Sequence, residues 1–310
     1  MKNNRPRIIV FAYSEPGWSC LKALIESHAN IVAVYTHQDA PDEHIWFHSV
    51  YDLAQQHHLP VFRPTKIDAA ETRRIIDFKP ELIFSFYYRR LIPDIVIKLP
   101  RLGSFNLHGA LLPKYRGQTC INWAVINGES KTGATLHAMT DKPDAGGIVD
   151  QRSIDIAFDD TALDVFKKIS CLAAQMIKDD LPQLENGTAV LKPQDDSQAT
   201  KYPRRHPSDG LIDFKRDAVS IYNLIRGTTH PFPGAFTYLH GQKLFIWKAL
   251  PLNTDDKAVP GTVISTKPLL IAMGKGALKI LSLQLDGQPE QKAADFAASL
   301  SGAVLSSDFK

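Results

Sequence analysis

Ile8-Ile-Val-Phe-Ala-Tyr-Ser-Glu-Pro-Gly-Trp-Ser-Cys-Leu-Lys-Ala-Leu-Ile-Glu-Ser-His-Ala-Asn-Ile-Val-Ala-Val-Tyr35 decides how the chain is built. Its first five residues are apolar without interruption, the pattern of a strand buried on both faces of a parallel sheet. Ser14-Glu-Pro-Gly17 reads as a break. From Trp18 to Ala29 the apolar residues Leu21, Leu24 and Ile25 recur at helical spacing, and Ile31–Tyr35 is a second apolar run. Strand, helix, strand make a βαβ unit. The alternation continues with helices over 49–58 and 69–78, and with strands at 61–62, 82–85 and 104–107. Such regularity predicts an α/β fold: a Rossmann-like, mostly parallel sheet with helices on both faces.

Ligands of these sheets gather beyond the carboxyl ends of the strands. The first strand is not followed by Gly-x-Gly-x-x-Gly, and no Gly-x-x-x-x-Gly-Lys-Ser/Thr occurs. A dinucleotide cofactor and a nucleoside triphosphate site are therefore not expected. The chemistry stands elsewhere, in Ser104-Phe-Asn-Leu-His-Gly-Ala-Leu-Leu-Pro-Lys-Tyr-Arg-Gly117. Asn106 and His108 lie two residues apart in extended chain, so their side chains project to the same side. Gly109 lets the backbone turn away, and Pro113 and Gly117 bound a loop carrying Lys114, Tyr115 and Arg116. Asp144 follows in Thr140-Asp-Lys-Pro-Asp-Ala-Gly-Gly147. An amide, an imidazole and a carboxylate supply an oxyanion donor, a proton shuttle and a group that orients and charges the shuttle. Each has an ordinary structural reading as well. A lone His after a strand is usually a hydrogen-bonder, Asn a turn former and Asp a loop cap.

Phe105-Asn-Leu-His-Gly109, followed by Leu111-Leu-Pro-Lys-Tyr-Arg-Gly117 and Asp144-Ala-Gly146, resembles the signature of the folate-dependent formyltransferases. That family includes methionyl-tRNA formyltransferase and the sugar N-formyltransferases. The resemblance runs from Val10 to about Leu285. Phe84-Ser-Phe-Tyr-Tyr-Arg89, Leu136-His137 and Pro233-Gly-Ala-Phe-Thr-Tyr238 are similar to the subgroup that formylates UDP-4-amino-4-deoxy-L-arabinose, a lipid A modification linked to polymyxin resistance. The resemblance implies that Asn106 holds the oxyanion formed when an amine attacks the formyl carbon. His108 would donate and accept the proton, and Asp144 would raise the pKa of His108. It further implies that Arg90, Leu91, Ile92, Thr140, Asp141, Lys142, Pro143 and Asp144 line the N10-formyltetrahydrofolate pocket. The chain departs from the family at Gln118-Thr-Cys120, where Arg/Ala-Ala-Pro is common. Gln118 occupies the place of an arginine implicated in folate contact in the arabinose subgroup.

At 310 residues, with 44% apolar and 22% charged residues, the chain has room for two domains and a sizeable core. A net charge of +3, with scattered basic residues, gives no compositional argument for nucleic acid and disfavours a tRNA acceptor. Cys20, Cys120 and Cys171 show no metal-ligand or disulfide pattern, which suits a reducing cytoplasm. No covalent role for Cys120 is needed by the chemistry. The polar start Met1–Arg7 and the short run behind it do not form a signal segment, and no run reaches the roughly 18 apolar residues of a spanning helix. His37, His44, His48, His57 and His58 read as surface histidines, without ligand spacing for metal. Tyr87, Tyr88, Arg89 and Arg90 read as a pterin-facing wall or as a solvated loop, and His137 as a core group or one supporting the site.

Thr161-x-x-Asp164 has capping-box character and opens a helix with Leu163, Phe166, Ile169, Ala173 and Ile177 on its apolar stripe; Pro182 is expected to end it. Residues 191–209 shift to Pro, Gln, Asp, Ser, Lys and Arg and read as a linker, with Arg204 and Arg205 as linker charges or as contacts to a diphosphate or the folate tail. Beyond a short helix over 218–225, strand-like runs at 234–238, 243–247, 261–265, 269–272 and 277–283 suggest a small barrel. A short helix over 291–300 would follow. The resemblance implies that the barrel is OB-like. The expected organisation is a catalytic domain over 1–190, the linker, and a C-terminal domain over 210–310. Expected partners are a nucleotide-linked amino sugar and the folate donor, without membrane insertion. A homo-oligomer is compatible with the sequence. The rival functions are methionyl-tRNA formylation, hydrolysis of the formyl donor, and a silent module binding folate or a nucleotide sugar.

Overall fold

The computed structural model describes residues 5–40, 44–255, 257–300 and 302–306. The start Met1–Asn4, part of the polar N-terminus read above, lies outside them. The chain divides into two compact units: 1–120 with 131–155 and 166–202, and 121–130 with 156–165 and 203–310.

In the first unit, strands β1 (Ile8–Ala12), β2 (Ile31–Tyr35), β3 (Val61–Phe62), β4 (Leu82–Phe86) and β5 (Ser104–His108) alternate with helices α1 (Ser14–Glu26), α2 (Val50–Gln56), α3 (Ala69–Asp77) and α4 (Asp94–Ile97). A two-residue strand β6 (Arg116–Gly117), β7 (Lys131–Ala138) and β8 (Ile148–Asp155) follow in the same unit, while helix α5 (Cys120–Ile126) belongs from Ile121 onward to the second unit. The main sheet has the order β3-β2-β1-β4-β5-β7-β8. Its first five strands pair in parallel, while β7 pairs antiparallel to β5 and β8 antiparallel to β7. Every residue of β1 and β4 is buried, Ser85 of β4 included, as strands covered on both faces of a parallel sheet require. One face contributes Ile9, Phe11, Ala33, Tyr35 and Ile83 to a cluster closed by Ile75, Ile92 and Val96. Helix starts are locally encoded. The Ser49 hydroxyl accepts from Asp52 N, and the Asp68 carboxylate accepts from Ala70 N and Glu71 N.

Three sequence expectations are corrected here. Ser14-Glu-Pro-Gly17 is the first turn of α1 and not a break. Proline is tolerated there because a first-turn N–H has no helical partner to lose. Gly17 permits close packing, since a Cβ at that position would lie 2.9 Å from the Phe86 carbonyl oxygen. Helix α6 (Ala162–Glu185) passes through Pro182 for one more turn. Burial of Leu181 and Leu184 favours that turn, Asn186 N still donates to Pro182 O, and the end comes at Gly187 with φ of 67°. The capping box at its start is formed: Asp164 N donates to the Thr161 hydroxyl and Thr161 N to the Asp164 carboxylate. His37 is not a surface residue. It is buried between the rings of Tyr88, stacked at 4.2 Å, and Tyr13, met edge-on at 5.1 Å.

The stretch read as a linker contains β9 (Lys201–Tyr202), which pairs in parallel with β6. The Tyr115 and Tyr202 rings stack there at 4.6 Å.

The second unit holds α7 (Ala218–Thr228) and strands β10 (Ala235–Leu239), β11 (Gln242–Leu252), β12 (Val263–Thr266), β13 (Leu269–Ala272), β14 (Ala277–Leu285) and β15 (Gln291–Lys292), with α8 (Ala293–Phe296) and a 3-10 turn after them. The antiparallel order is β10-β11-β14-β13-β12, with β15 on β14. Both edges meet one terminal segment: Tyr238 N and Ser306 N exchange bonds with each other's carbonyls, while Leu305 N donates to Gly261 O and Val263 N to Ala303 O. The segment 303–306 thereby closes the sheet into a barrel. Ile221, Ile225, Leu244, Ile246, Leu278 and Leu283 are among the residues that fill it. Arg205 lies over the Trp123 ring at 4.7 Å, so it is a packed side chain rather than a free charge.

Candidate active site

Strand β5 ends in Phe105-Asn-Leu-His108 at the carboxyl edge of the parallel strands. The period of two puts Asn106 and His108 on one face. The chain then turns back through 109–117, and this loop is anchored from β7 and β8. The Thr135 hydroxyl donates to Ala110 O and accepts from Leu112 N, and the Gln151 amide donates to Leu112 O. Gly117 has φ of 108°, and a Cβ there would come within 2.2 Å of Tyr202 O, so only glycine fits. Arg116 does not reach outward. It is buried and donates to the Gln194 side chain at 2.7 Å and to Asp196 at 2.6 Å.

His108 is buried, with Nε2 donating to Tyr115 O at 2.7 Å and Nδ1 3.6 Å from Asp144 Oδ1. Burial alone would pull its pKa down; Cys120, which hydrogen-bonds the ring, and the Asp144 carboxylate outweigh that and push it up to about 10. Asp144 shows the mirror-image balance. Burial favours its neutral form, yet the charge of His108 and the Gly117 N–H hold the carboxyl far below the usual carboxylate range. Gly117 N donates to Asp144 Oδ2 at 2.9 Å. The backbone of Asp144 is left-handed, φ 57°, a conformation Asp tolerates better than most residues. Gln194 braces that backbone: its amide donates to Asp144 O at 2.9 Å and to Gly146 O at 2.8 Å. Gln194 comes from the stretch that composition marks as linker, and no local signal distinguishes it from its neighbours.

Asn106, His108 and Asp144 are thus brought together. His137 joins them: it is the register partner of Asn106 across β5 and β7, and the Asn106 Nδ2 donates to His137 Nε2 at 3.1 Å. Of the other residues singled out in the sequence, Leu91 is exposed, Arg90 is exposed and donates to Pro64 O, and Ile92 is buried in the apolar cluster of β1 and β2. Gln118 is exposed, with its N–H on Tyr202 O. Thr140, Asp141, Lys142 and Pro143 form an exposed turn tied by the Thr140 hydroxyl to Lys142. Tyr88 stacks on His37 and meets Phe11 edge-on, and Tyr87 meets Phe166, so both rings are engaged in packing.

A cavity of about 350 Å³ lies at the carboxyl ends of β1, β2 and β3, lined in part by Tyr13, Thr36, Phe47, Tyr51 and Arg63. The Arg63 guanidinium lies over the Tyr51 ring at 3.8 Å. Among the described residues, no group of three or more His, Cys, Asp or Glu could hold a metal ion, and no helix is long and apolar enough to cross a membrane.

Residues 7–181 match the family model described as formyl transferase, and residues 205–301 match the formyl transferase C-terminal domain. Among solved structures, the chain is similar to an N-formyltransferase from Helicobacter canadensis in complex with folinic acid and dTDP-3-aminofucose. The two are 20% identical with a TM-score of 0.71, covering 93% of this chain and 100% of that one. It is also similar to WlaRD, a sugar 3N-formyl transferase crystallised with dTDP and 5-N-formyl-THF: 18% identity, TM-score 0.69, 93% and 100% covered. HypX from Aquifex aeolicus, in complex with tetrahydrofolic acid, gives 19% identity and a TM-score of 0.64 over 96% of this chain. The match covers 48% of HypX, so the chain spans about half the length of that protein.

Proposed function

Because the chain belongs to the formyl transferase family, we propose that it moves the formyl group of N10-formyltetrahydrofolate to the amine of a nucleotide-linked amino sugar. The acceptor proposed from the sequence motifs is UDP-4-amino-4-deoxy-L-arabinose, whose formylation belongs to lipid A modification and polymyxin resistance. The carrying observation is the convergence of Asn106, His108 and Asp144, with His108 Nδ1 3.6 Å from Asp144 Oδ1. Solved relatives hold folates and dTDP or a dTDP-sugar, which supports both substrate classes.

The residues divide the work as follows. The amine attacks the formyl carbon, and the Asn106 amide donates to the oxygen as it gains charge. His108, held as imidazolium by Asp144, gives a proton to the departing folate nitrogen and takes one from the attacking amine. The bond from carbon to the sugar nitrogen forms, the bond to the folate nitrogen breaks, and the net proton passes from amine to folate. No protein nucleophile is required. For the donor, the exposed 140–143 turn beside Asp144 and the exposed Leu91 offer polar and apolar surface. For the acceptor, the cavity with Phe47, Tyr51 and Arg63 offers ring faces for a base and a cation for a diphosphate.

The test is formyl transfer by the purified chain from N10-formyltetrahydrofolate to a panel of acceptors: UDP-4-amino-4-deoxy-L-arabinose, dTDP-linked amino sugars and methionyl-tRNA. Turnover confined to the arabinose sugar is the expected result. Turnover on a dTDP sugar alone would keep the chemistry and replace the acceptor. Turnover on tRNA alone would overturn the sugar reading, and binding without turnover would make the chain a silent module.

A further inference from the structure

The reaction as derived uses Asn106, His108 and Asp144 and leaves a neighbouring polar side chain, the buried His137, without a task. We propose that His137 is a positioning residue for formyl transfer, turning the Asn106 amide so that its N–H, and not its carbonyl, meets the developing oxyanion. The inference rests on the reading of Asn106 as the oxyanion donor.

An asparagine amide has a donor end and an acceptor end of nearly equal shape, and only its partners choose between them. Here the partners choose. His137 Nδ1 lies 2.9 Å from the Ala138 carbonyl oxygen, a group that can only accept, so Nδ1 carries the hydrogen. Nε2 then offers its lone pair, and it receives Asn106 Nδ2–H at 3.1 Å. The bond directs the NH₂ end of Asn106 along one line and leaves the second hydrogen of the same nitrogen for the substrate. A reversed amide would set a carbonyl oxygen against the Nε2 lone pair.

The fold keeps His137 in that role. It faces Asn106 as a directly opposed pair in the antiparallel β5–β7 ladder, where cross-strand side chains are near enough to interact. It is buried, so water does not compete for Nε2. Asp144 Oδ1 lies 3.6 Å from His137 Nε2 and also 3.6 Å from His108 Nδ1. With Nε2 occupied as an acceptor, the carboxylate is left to the His108 ring, which is the ring that must hold the moving proton.

Steady-state kinetics with N10-formyltetrahydrofolate and UDP-4-amino-4-deoxy-L-arabinose test the inference. His137→Leu removes the acceptor and is expected to lower kcat by about 10- to 100-fold, the scale of a misplaced catalytic group, with both KM values nearly unchanged. His137→Gln can place an amide oxygen near Nε2 and should recover most of kcat. In an Asn106→Ala background His137→Leu should cost less than about twofold, since the residue it acts through is gone. Should the leucine variant not fold, His137→Phe keeps a flat ring without the acceptor. An activity-independent readout comes from ¹⁵N-histidine spectra of the free protein. His137 should appear as the Nδ1–H tautomer, with an Nε2 resonance that moves in Asn106→Ala. Wild-type kcat in His137→Leu, multiplicative losses in the double variant, or the Nε2–H tautomer would each overturn the inference. Wild-type kcat in Asn106→Ala would instead overturn the underlying assignment of the oxyanion donor.

Discussion

Strands β1 and β4 and strands β5 and β7 belong to one sheet, yet they follow different rules. β1 and β4 read Ile-Ile-Val-Phe-Ala and Leu-Ile-Phe-Ser-Phe and are buried throughout. β5 and β7 carry Asn106, His108, Thr135 and His137, each of which meets a polar partner. The first pair contributes burial, which is indifferent to direction and tolerant of exchange among apolar residues. The second pair contributes hydrogen bonds, which demand one partner in one place. The seam between them is the parallel contact of β4 with β5, where Ser85 faces Asn106 and Phe86 faces Leu107. The candidate site sits on the polar side of that seam, where an imidazole and a carboxylate can be kept charged without exposing them.

Substitutions on the two sides should separate stability from catalysis. The largest expected effect is His108→Ala, which should reduce formyl transfer roughly 100- to 10,000-fold. Its melting temperature should stay close to wild type in a thermal scan, and wild-type turnover would break the assignment. Phe84→Ala should do the reverse. The ring is fully buried against Phe86, at 5.3 Å between centroids, and its loss should destabilise the fold by about 3–5 kcal/mol in urea unfolding. Turnover per folded molecule should persist, and a parallel collapse of kcat would mean that the apolar strands position the site more tightly than the comparison holds.

The smallest change should be in Asp144→Asn and concerns pH. The folded pKa of His108 stands above its ordinary value, so the imidazolium persists through neutral pH and is lost as pH rises through about 10. Transfer should fall on that alkaline side. The stabilisation from the charged pair is complete below the ordinary histidine value and disappears across the same rise. Without the Asp144 charge, burial weighs more heavily and the alkaline limb should move to lower pH. An unmoved limb in a pH–rate profile would show that Asp144 orients His108 without charging it.

Much of the framework was legible in the sequence because its signals are local. Uninterrupted apolar runs announced the parallel strands, and Thr161 with Asp164 announced the start of α6. Local signals also misled. Ser14-Glu-Pro-Gly17 contains two helix breakers yet forms a first turn, where the missing proline N–H costs nothing. Pro182 failed to stop α6 because Leu184 beyond it has a buried place to occupy. Strand β8 was not read at all. Its residues alternate between half-buried and exposed, so the run has no continuous apolar stretch to mark it.

The candidate site divides along the same line. That Asn106 and His108 project together follows from the sequence alone, since extended chain repeats every two residues whatever surrounds it. Which groups meet them was decided only in three dimensions. His137 reaches Asn106 through the register of β5 on β7, and Gln194 reaches the Asp144 backbone across 50 residues of chain. Register and loop closure are properties of the packed sheet, where one residue of slip would turn His137 away from Asn106. No local pattern of residues carries that information.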